Sequence, residues 1–322
     1  EQFQLPLHSP ILIFALILSI ILLIPIIFEK IKTPDIIGLI LCGVAIGPHG
    51  FNILEQDLFV DVFSTIGLMY IMFLAGLEIN LIEFKFNRNK SVAFAALTFL
   101  FPLAIGLPVC YYLLDLDIYA TLLVASIFAT HTLITYPIAS KFNITSDRSV
   151  AIAVGGTIIT DSAVLVVLAM ILGAHDGELS AAFWVQLALS LIVFSIVMFV
   201  AVPKIARWFF HRMEERKRAH YIFVMVVVFL SAFLAEVAGL EGIIGAFAAG
   251  LALNKFIPNS SALMNRTAFI GNSLFIPFFL ISVGMLVDIK VVTSGFSTVI
   301  LAAALTVTAF GGKYLAAKAT QL

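Results

Sequence analysis

The run from Pro10 to Phe28, PILIFALILSIILLIPIIF, passes without a single charge. A helix that crosses a bilayer needs about 20 mostly apolar residues. Ten further runs of this kind follow, so eleven spans are predicted: 10–28, 36–50, 58–79, 91–114, 118–140, 150–173, 180–203, 220–239, 242–254, 268–287 and 295–317. The runs are continuous rather than alternating, which selects helices over a barrel. With 62% hydrophobic and 11% charged residues, the chain has too little polar surface to fold as a water-soluble globule. The expected fold is an all-α polytopic membrane protein, with the lipid bilayer as its solvent.

Charge sets the orientation. Of 18 Lys and Arg, 15 fall in loops on one side, and the largest group lies in the polar stretch 204–220. The positive-inside rule then places that side in the cytoplasm and the N-terminus outside. A net charge of −1 leaves no basic domain, so nucleic acid is not an expected partner. Cys42 and Cys110 lie in apolar runs and suggest neither a disulfide scaffold nor a zinc site. The segment 10–28 lacks the basic flank and small-residue cleavage site of a signal peptide.

The sequence repeats itself. IIGLILCGVAIG at 36–47 matches IIGAFAAGLALN at 243–254 at a constant offset of 207, aligning Gly38 with Gly245 and Gly43 with Gly250. Gly76 near the end of helix 3 matches Gly284 near the end of helix 10 at an offset of 208. Seven spans separate the members of each pair. An odd number reverses orientation, so the expectation is an inverted-topology repeat, a common plan for secondary transporters. Repeat one covers about 10–173, a linker helix covers 180–203, and repeat two begins near 220. The partners of helices 5 and 6 would fall near 326–381, past Leu322. The expectation is thus a single membrane domain carrying eleven of thirteen helices, with repeat two incomplete. Any cytoplasmic regulatory domain would follow the missing helices.

Asp161 is the sharpest chemical signal. It interrupts the apolar run GGTIITDSAVLVVL at 155–168. A charge at the bilayer centre costs about 2.5–3.5 kcal/mol on insertion scales, so an intramembrane carboxylate defaults to function. Desolvation favours its protonated form and a bound cation favours its ionised form. One carboxylate can therefore exchange H⁺ for a monovalent cation. In helix 5, Thr130, His131 and Thr132 break an apolar run, with Pro137 beyond. A broken helix frees carbonyls for a cation, whereas an unbroken one would let the threonine hydroxyls bond back to the backbone. His131 reads either as a proton relay or as a buried neutral imidazole. Glu236, near the outer end of helix 8, either lines an ion funnel or reaches the interface. Lys313 in helix 11 either pairs with a site carboxylate or snorkels to the inner interface. Thr130, Thr132 and Thr160 offer neutral oxygens, which suit hard cations. The 30 phenylalanines read as scattered, lipid-facing packing.

The motifs AEVAGLEGIIGAFAAGL (235–251), FLAGLEIN (73–80), TDSAVLVVL (160–168), FFLISVGMLVD (278–288) and GGKYLAAK (311–318) occur here in order. In that order the chain resembles the monovalent cation:proton antiporters, in the bacterial branch of Nap-type and Kef-type proteins. The resemblance implies an inverted-repeat antiporter fold with a moving core, a dimerisation domain and alternating access. It implies a homodimer in the bacterial inner membrane that transports Na⁺ or K⁺ against H⁺, with no cofactor and no enzymatic activity. It also implies cation binding at Asp161, the first helix break at Thr130, and Lys313 as the lysine before the second break. Electrogenic relatives carry an acid where this chain has Thr160, so a 1:1 exchange is expected. A ligand-gated K⁺ efflux system of Kef type, a sodium-coupled solute symporter and a non-transporting membrane sensor are the alternatives. The first needs a nucleotide-binding domain, the second a roomy polar cavity, and the third no intramembrane acid.

Overall fold

Helix starts are set by short polar residues that take up otherwise orphaned N–H groups. Asp117 accepts from the Tyr119 amide at 3.1 Å and Ser261 from the Met264 amide at 3.1 Å. Asp57 does the same for Val60 at 2.9 Å and Asp35 for Ile36 at 2.9 Å. The computed structural model describes residues 5–30, 32–78, 86–129, 144, 147–176, 181–288, 290 and 296–320.

Among the described residues the chain forms eleven helical units. They are α1 Pro10–Lys30, α2 Asp35–Ile46, α3 Leu58–Glu78, α4 Arg88–Pro108, α5 Ile118–Ile127 and α6 Arg148–Asp176. α7 runs from Ala181–Ile196 through a π-helical turn into Val202–Arg212. α8 is Lys217–Val237 and α9 is Gly242–Leu253. α10 is Ala262–Ile270 continued through a π-turn into Ile276–Met285, and α11 is Phe296–Thr320. Among the described residues, seven helices, α1, α3 and α8 among them, are long and apolar enough to cross a membrane. The protein is a multi-pass membrane protein. The predicted helix 5 is described only as far as Ile127, with Phe128 and Ala129 in a closing turn; its remainder lies outside the described residues.

Proline shapes the longer helices. Each π-turn adjoins one: Val109–Leu113 follows Pro108, Val197–Ala201 precedes Pro203, and Gly271–Phe275 precedes Pro277. Proline lacks the N–H for the i→i−4 ladder, and a locally widened turn absorbs the mismatch. The α8–α9 turn passes through Gly239 at φ 83°, a backbone angle that glycine adopts without strain.

The polar stretch after the seventh span departs from expectation. The stretch 204–220 is a loop only over 213–216: α7 continues to Arg212 and α8 begins at Lys217, so Lys204, Arg207 and Arg212 ride on a helix. Aromatic packing holds that extension in place. Phe209 stacks on Phe223 of α8 at 4.3 Å, and the His220 Nε2 donates to the Met213 carbonyl at 2.8 Å.

Among the described residues, the extensive packing stays within two sets of helices. α1, α2, α3, α7, α8, α9 and α10 enclose one apolar core, while α4 packs against α5, α6 and α11. Within the first set, the offset read from the sequence carries α2 onto α9 residue for residue, both 12 residues long. Two crossings repeat. α2 meets α10 at Gly43 and Gly284, and α9 meets α3 at Gly250 and Gly76. A Cβ built on Gly284 would stand 2.9 Å from the Gly43 Cα, and one on Gly76 2.9 Å from the Gly250 Cα. Gly38 packs on Ile24 of α1, and its counterpart Gly245 packs on Ser231 of α8 at the same offset. Small residues let backbones approach where no hydrophobic effect drives helices together.

The phenylalanines are not simply lipid-facing. Phe14 of α1, Phe59 and Phe63 of α3, and Phe275 and Phe278 of α10 form one cluster, with centroids 4.8–6.3 Å apart. Spacings of three and four residues place each pair on one helical face. Phe73, Phe247 and Phe278 are fully buried. Cys42 and Cys110 are free thiols.

Candidate functional site

α4 is the scaffold on which the candidate residues assemble. Three other helices pack on it. α11 lies against it through Gly312, where a Cβ would meet the Pro102 ring and backbone at 2.8 Å. α6 lies against it through Gly156, beside Phe94 and the Ser91 carbonyl. α5 lies against it where Gly106 faces Ala125 and Phe128. At one end, the Arg148 Nε donates to the Asn87 Oδ1 at 2.8 Å and ties the start of α6 to the start of α4.

On α6, Thr160 is buried, and its Oγ1 donates to the Thr157 carbonyl at 2.8 Å. Thr157 in turn donates to the Ala153 carbonyl at 2.9 Å. These are the hydroxyl-to-backbone bonds that a helix offers threonine. With its proton committed, the Thr160 oxygen keeps lone pairs for an acceptor role. Asp161 follows on the same helix, near the middle of its 29 residues. Its side chain lies outside the described part of the structure.

α5 closes with Ala129, whose N–H reaches the Ser126 carbonyl at 3.0 Å and whose carbonyl is left for another donor. Lys313 of α11 supplies it: the Nζ donates to the Ala129 carbonyl at 2.5 Å. An ammonium at a helix C-terminus meets the negative end of the helix dipole. Lys313, half-buried, is thus held against the residue that precedes Thr130 in the chain. Thr130, His131 and Thr132 themselves lie outside the described residues, as does Pro137.

The structure does not bring Glu236 to this group. It is exposed near the C-terminal end of α8, with its carboxylate beside Gly242. Three polar features escaped the sequence reading. Asn254 donates its side-chain amide to the Gly76 and Leu77 carbonyls at 3.2 and 2.6 Å, closing the end of α3. The hydroxyls of Tyr70 and Tyr221 bond each other at 2.6 Å and join α3 to α8. The buried Ser91 Oγ of α4 has no hydrogen-bond partner among the described residues. The first had a visible signal, an Asn immediately after the GLAL end of α9. The other two had none. Among the described residues no cluster of three His, Cys, Asp or Glu could hold a metal ion.

The sequence pattern of the family described as "Sodium/hydrogen exchanger, transmembrane" matches residues 16–320. The chain belongs to the sodium/hydrogen exchanger family. Members of this family are transporters, not enzymes. This exchanger chain is 36% identical over 282 residues to the Na(+)/H(+) antiporter NhaS5 of Synechocystis sp., a match covering 87% of the chain and 40% of that relative. It is 30% identical over 286 residues to the probable Na(+)/H(+) antiporter 3 of Methanocaldococcus jannaschii, covering 87% and 72%. The chain therefore spans about two fifths of the length of the Synechocystis relative. In fold, the exchanger matches the sodium proton antiporter MjNhaP1 of Methanocaldococcus jannaschii at a TM-score of 0.69 and 19% identity. That match covers 94% of this chain and 75% of the other. The antiporter fold expected from the motifs is the fold observed.

Proposed function

We propose that this protein exchanges a monovalent cation, Na⁺ or K⁺, for H⁺ by alternating access. Proton and cation compete for Asp161. On one side of the membrane the Asp161 carboxyl takes a proton, and the set of helices built on α4 moves relative to the other set. On the opposite side a cation displaces the proton, and the core returns loaded. Thr130, Thr132 and Thr160 supply neutral oxygens, and His131 relays protons. Lys313 is a positioning residue, holding the end of α5 where the helix break is expected. Glu236, exposed on α8, takes no part in the site. With Thr160 where an acid would add a second charge, the exchange is one for one.

The observation that carries this reading is the placement of Asp161. It stands near mid-helix on α6, directly after a buried threonine whose proton is already committed. The chain's membership of an exchanger family supports the direction of the chemistry. In the same reading, residues 10–173 and those from about 220 form the inverted repeats, with 180–203 as the linker helix. The protein works as a homodimer in the inner membrane, N-terminus outside, without a cofactor.

The test is cation-driven proton flux in proteoliposomes of the full-length protein, followed with an interior pH dye. Wild type should respond to Na⁺ or K⁺, and Asp161→Asn should not. Undiminished exchange in that variant would remove Asp161 from the mechanism.

A further inference from the structure

Between the starts of α8 and α10 lies an open pocket of about 350 Å³, lined by Arg218, Tyr221, Asn265, Arg266, Phe269 and Ile270. Both arginines are exposed. Neither guanidinium has a hydrogen bond or ion-pair partner among the described residues. Two unpaired arginines converging on one pocket leave a concentrated positive charge that asks for an anion. Guanidinium groups match phosphate oxygens in geometry as well as charge.

Along the helices, the pocket grades from charge to hydrocarbon. Arg266 sits in the second turn of α10, and Phe269 lies about 4.5 Å further along the axis at the usual helical rise. Phe269 is 70% exposed. On α8, Ile222 and Val226 continue the face below Arg218 and are likewise exposed. A soluble anion would use only the charged rim. An amphiphile would use both parts, with its phosphate between the arginines and an acyl chain along Phe269, Ile222 and Val226. Basic pockets between transmembrane helices bind anionic headgroups in this manner.

We propose that this pocket binds an anionic phospholipid, with Arg218 and Arg266 holding the phosphodiester and Asn265 beside it. The lipid bridges α8 and α10, so its binding stabilises the folded protein by mass action.

The test is a titration of the purified full-length protein with phosphatidylglycerol, read by native mass spectrometry and by thermal unfolding. Phosphatidylglycerol should bind and raise Tm more than phosphatidylcholine does. The double variant Arg218→Gln/Arg266→Gln should bind it about 25-fold more weakly, since each arginine near a headgroup is worth about fivefold. Asn265→Glu, at an exposed position where misfolding is not a concern, should weaken binding similarly by pairing with the arginines. The control Lys204→Gln/Arg207→Gln, which removes two exposed charges from α7, should bind as wild type does. Unchanged affinity in Asn265→Glu would overturn the proposal, as would equal loss in the control. An equal thermal shift from glycerol phosphate would also overturn it, because the pocket would then take any soluble phosphate.

Discussion

Gly43 of α2 and Gly284 of α10 meet so closely that a methyl group on either would enter the backbone of the other helix. A Cβ on Gly43 would strike the Ile281 carbonyl, and a Cβ on Gly284 would strike the Ile40 carbonyl. Gly250 and Gly76 repeat the arrangement, with the Phe73 and Phe247 carbonyls in the equivalent places. These contacts are backbone, so no side-chain rotation relieves them. Gly43→Ala and Gly250→Ala should each destabilise the protein by about 1–3 kcal/mol, the usual range for overpacking. Gly311→Ala is the comparison. Nothing lies within 4 Å of a Cβ there, and it should gain up to about 1 kcal/mol from helix propensity. Thermal unfolding in one detergent would rank all three.

Asn254 bridges α9 to the end of α3 through two carbonyls. Asn254→Ala leaves both without that donor. The expected loss is about 1–3 kcal/mol, the range for an unmet buried polar group. Asn254→Asp should be no better, because a carboxylate repels the carbonyls it replaces a donor for. Unfolding midpoints of the two variants would decide.

Lys313 joins α11 to the last described residue of α5. Lys313→Met keeps most of the side-chain volume and removes the donor. A hydrogen bond to a charged group is worth about 1.5–3 kcal/mol, so thermal stability should fall by that order. Lys313→Arg should recover part of it. Recovery of stability without recovery of ion flux would separate the anchoring of α5 from a role in transport.

Thr160→Val keeps the shape and deletes the hydroxyl. Its bond is to its own helix backbone at Thr157, so stability should change by less than about 1 kcal/mol. If the oxygen serves the cation, half-maximal exchange should need several times more Na⁺ or K⁺. Flux measured over a range of cation concentrations would show the change as a higher KM at a similar maximal rate. An unchanged KM would take Thr160 out of the cation site.

Tyr70→Phe removes the hydroxyl that meets Tyr221 and Met225 while keeping the ring stacked on Phe275. A loss of about 1 kcal/mol is expected, the net worth of one hydrogen bond. Phe63→Ala, which opens the five-phenylalanine cluster, should cost about 3–5 kcal/mol. The contrast in unfolding midpoint would test whether α3 is held by ring packing more than by its polar link to α8.

The spans were legible because a bilayer imposes length and apolarity on each helix separately. Where other forces act, the reading slipped. The tail of α7 looked like a loop because its charges hide an aromatic face that stacks on Phe223. The phenylalanines looked like lipid contacts because composition carries no record of which faces meet. Asp161 stood out because a carboxylate in an apolar run is costly wherever the run packs. Lys313 stayed ambiguous, since depth along a helix does not say which carbonyl lies opposite.

The sequence by itself determined the membrane class, the helical spans of the described residues and the equivalence of Gly43 with Gly250 and of Gly76 with Gly284. Periodicity, hydropathy and repetition are properties of the chain alone. Only the tertiary structure decided that Gly43 touches Gly284 and Gly76 touches Gly250. Repetition relates positions that share an environment, whereas contact relates positions that fill one another's space. Two helices choose each other by how closely their backbones can approach, and that is settled when they pack.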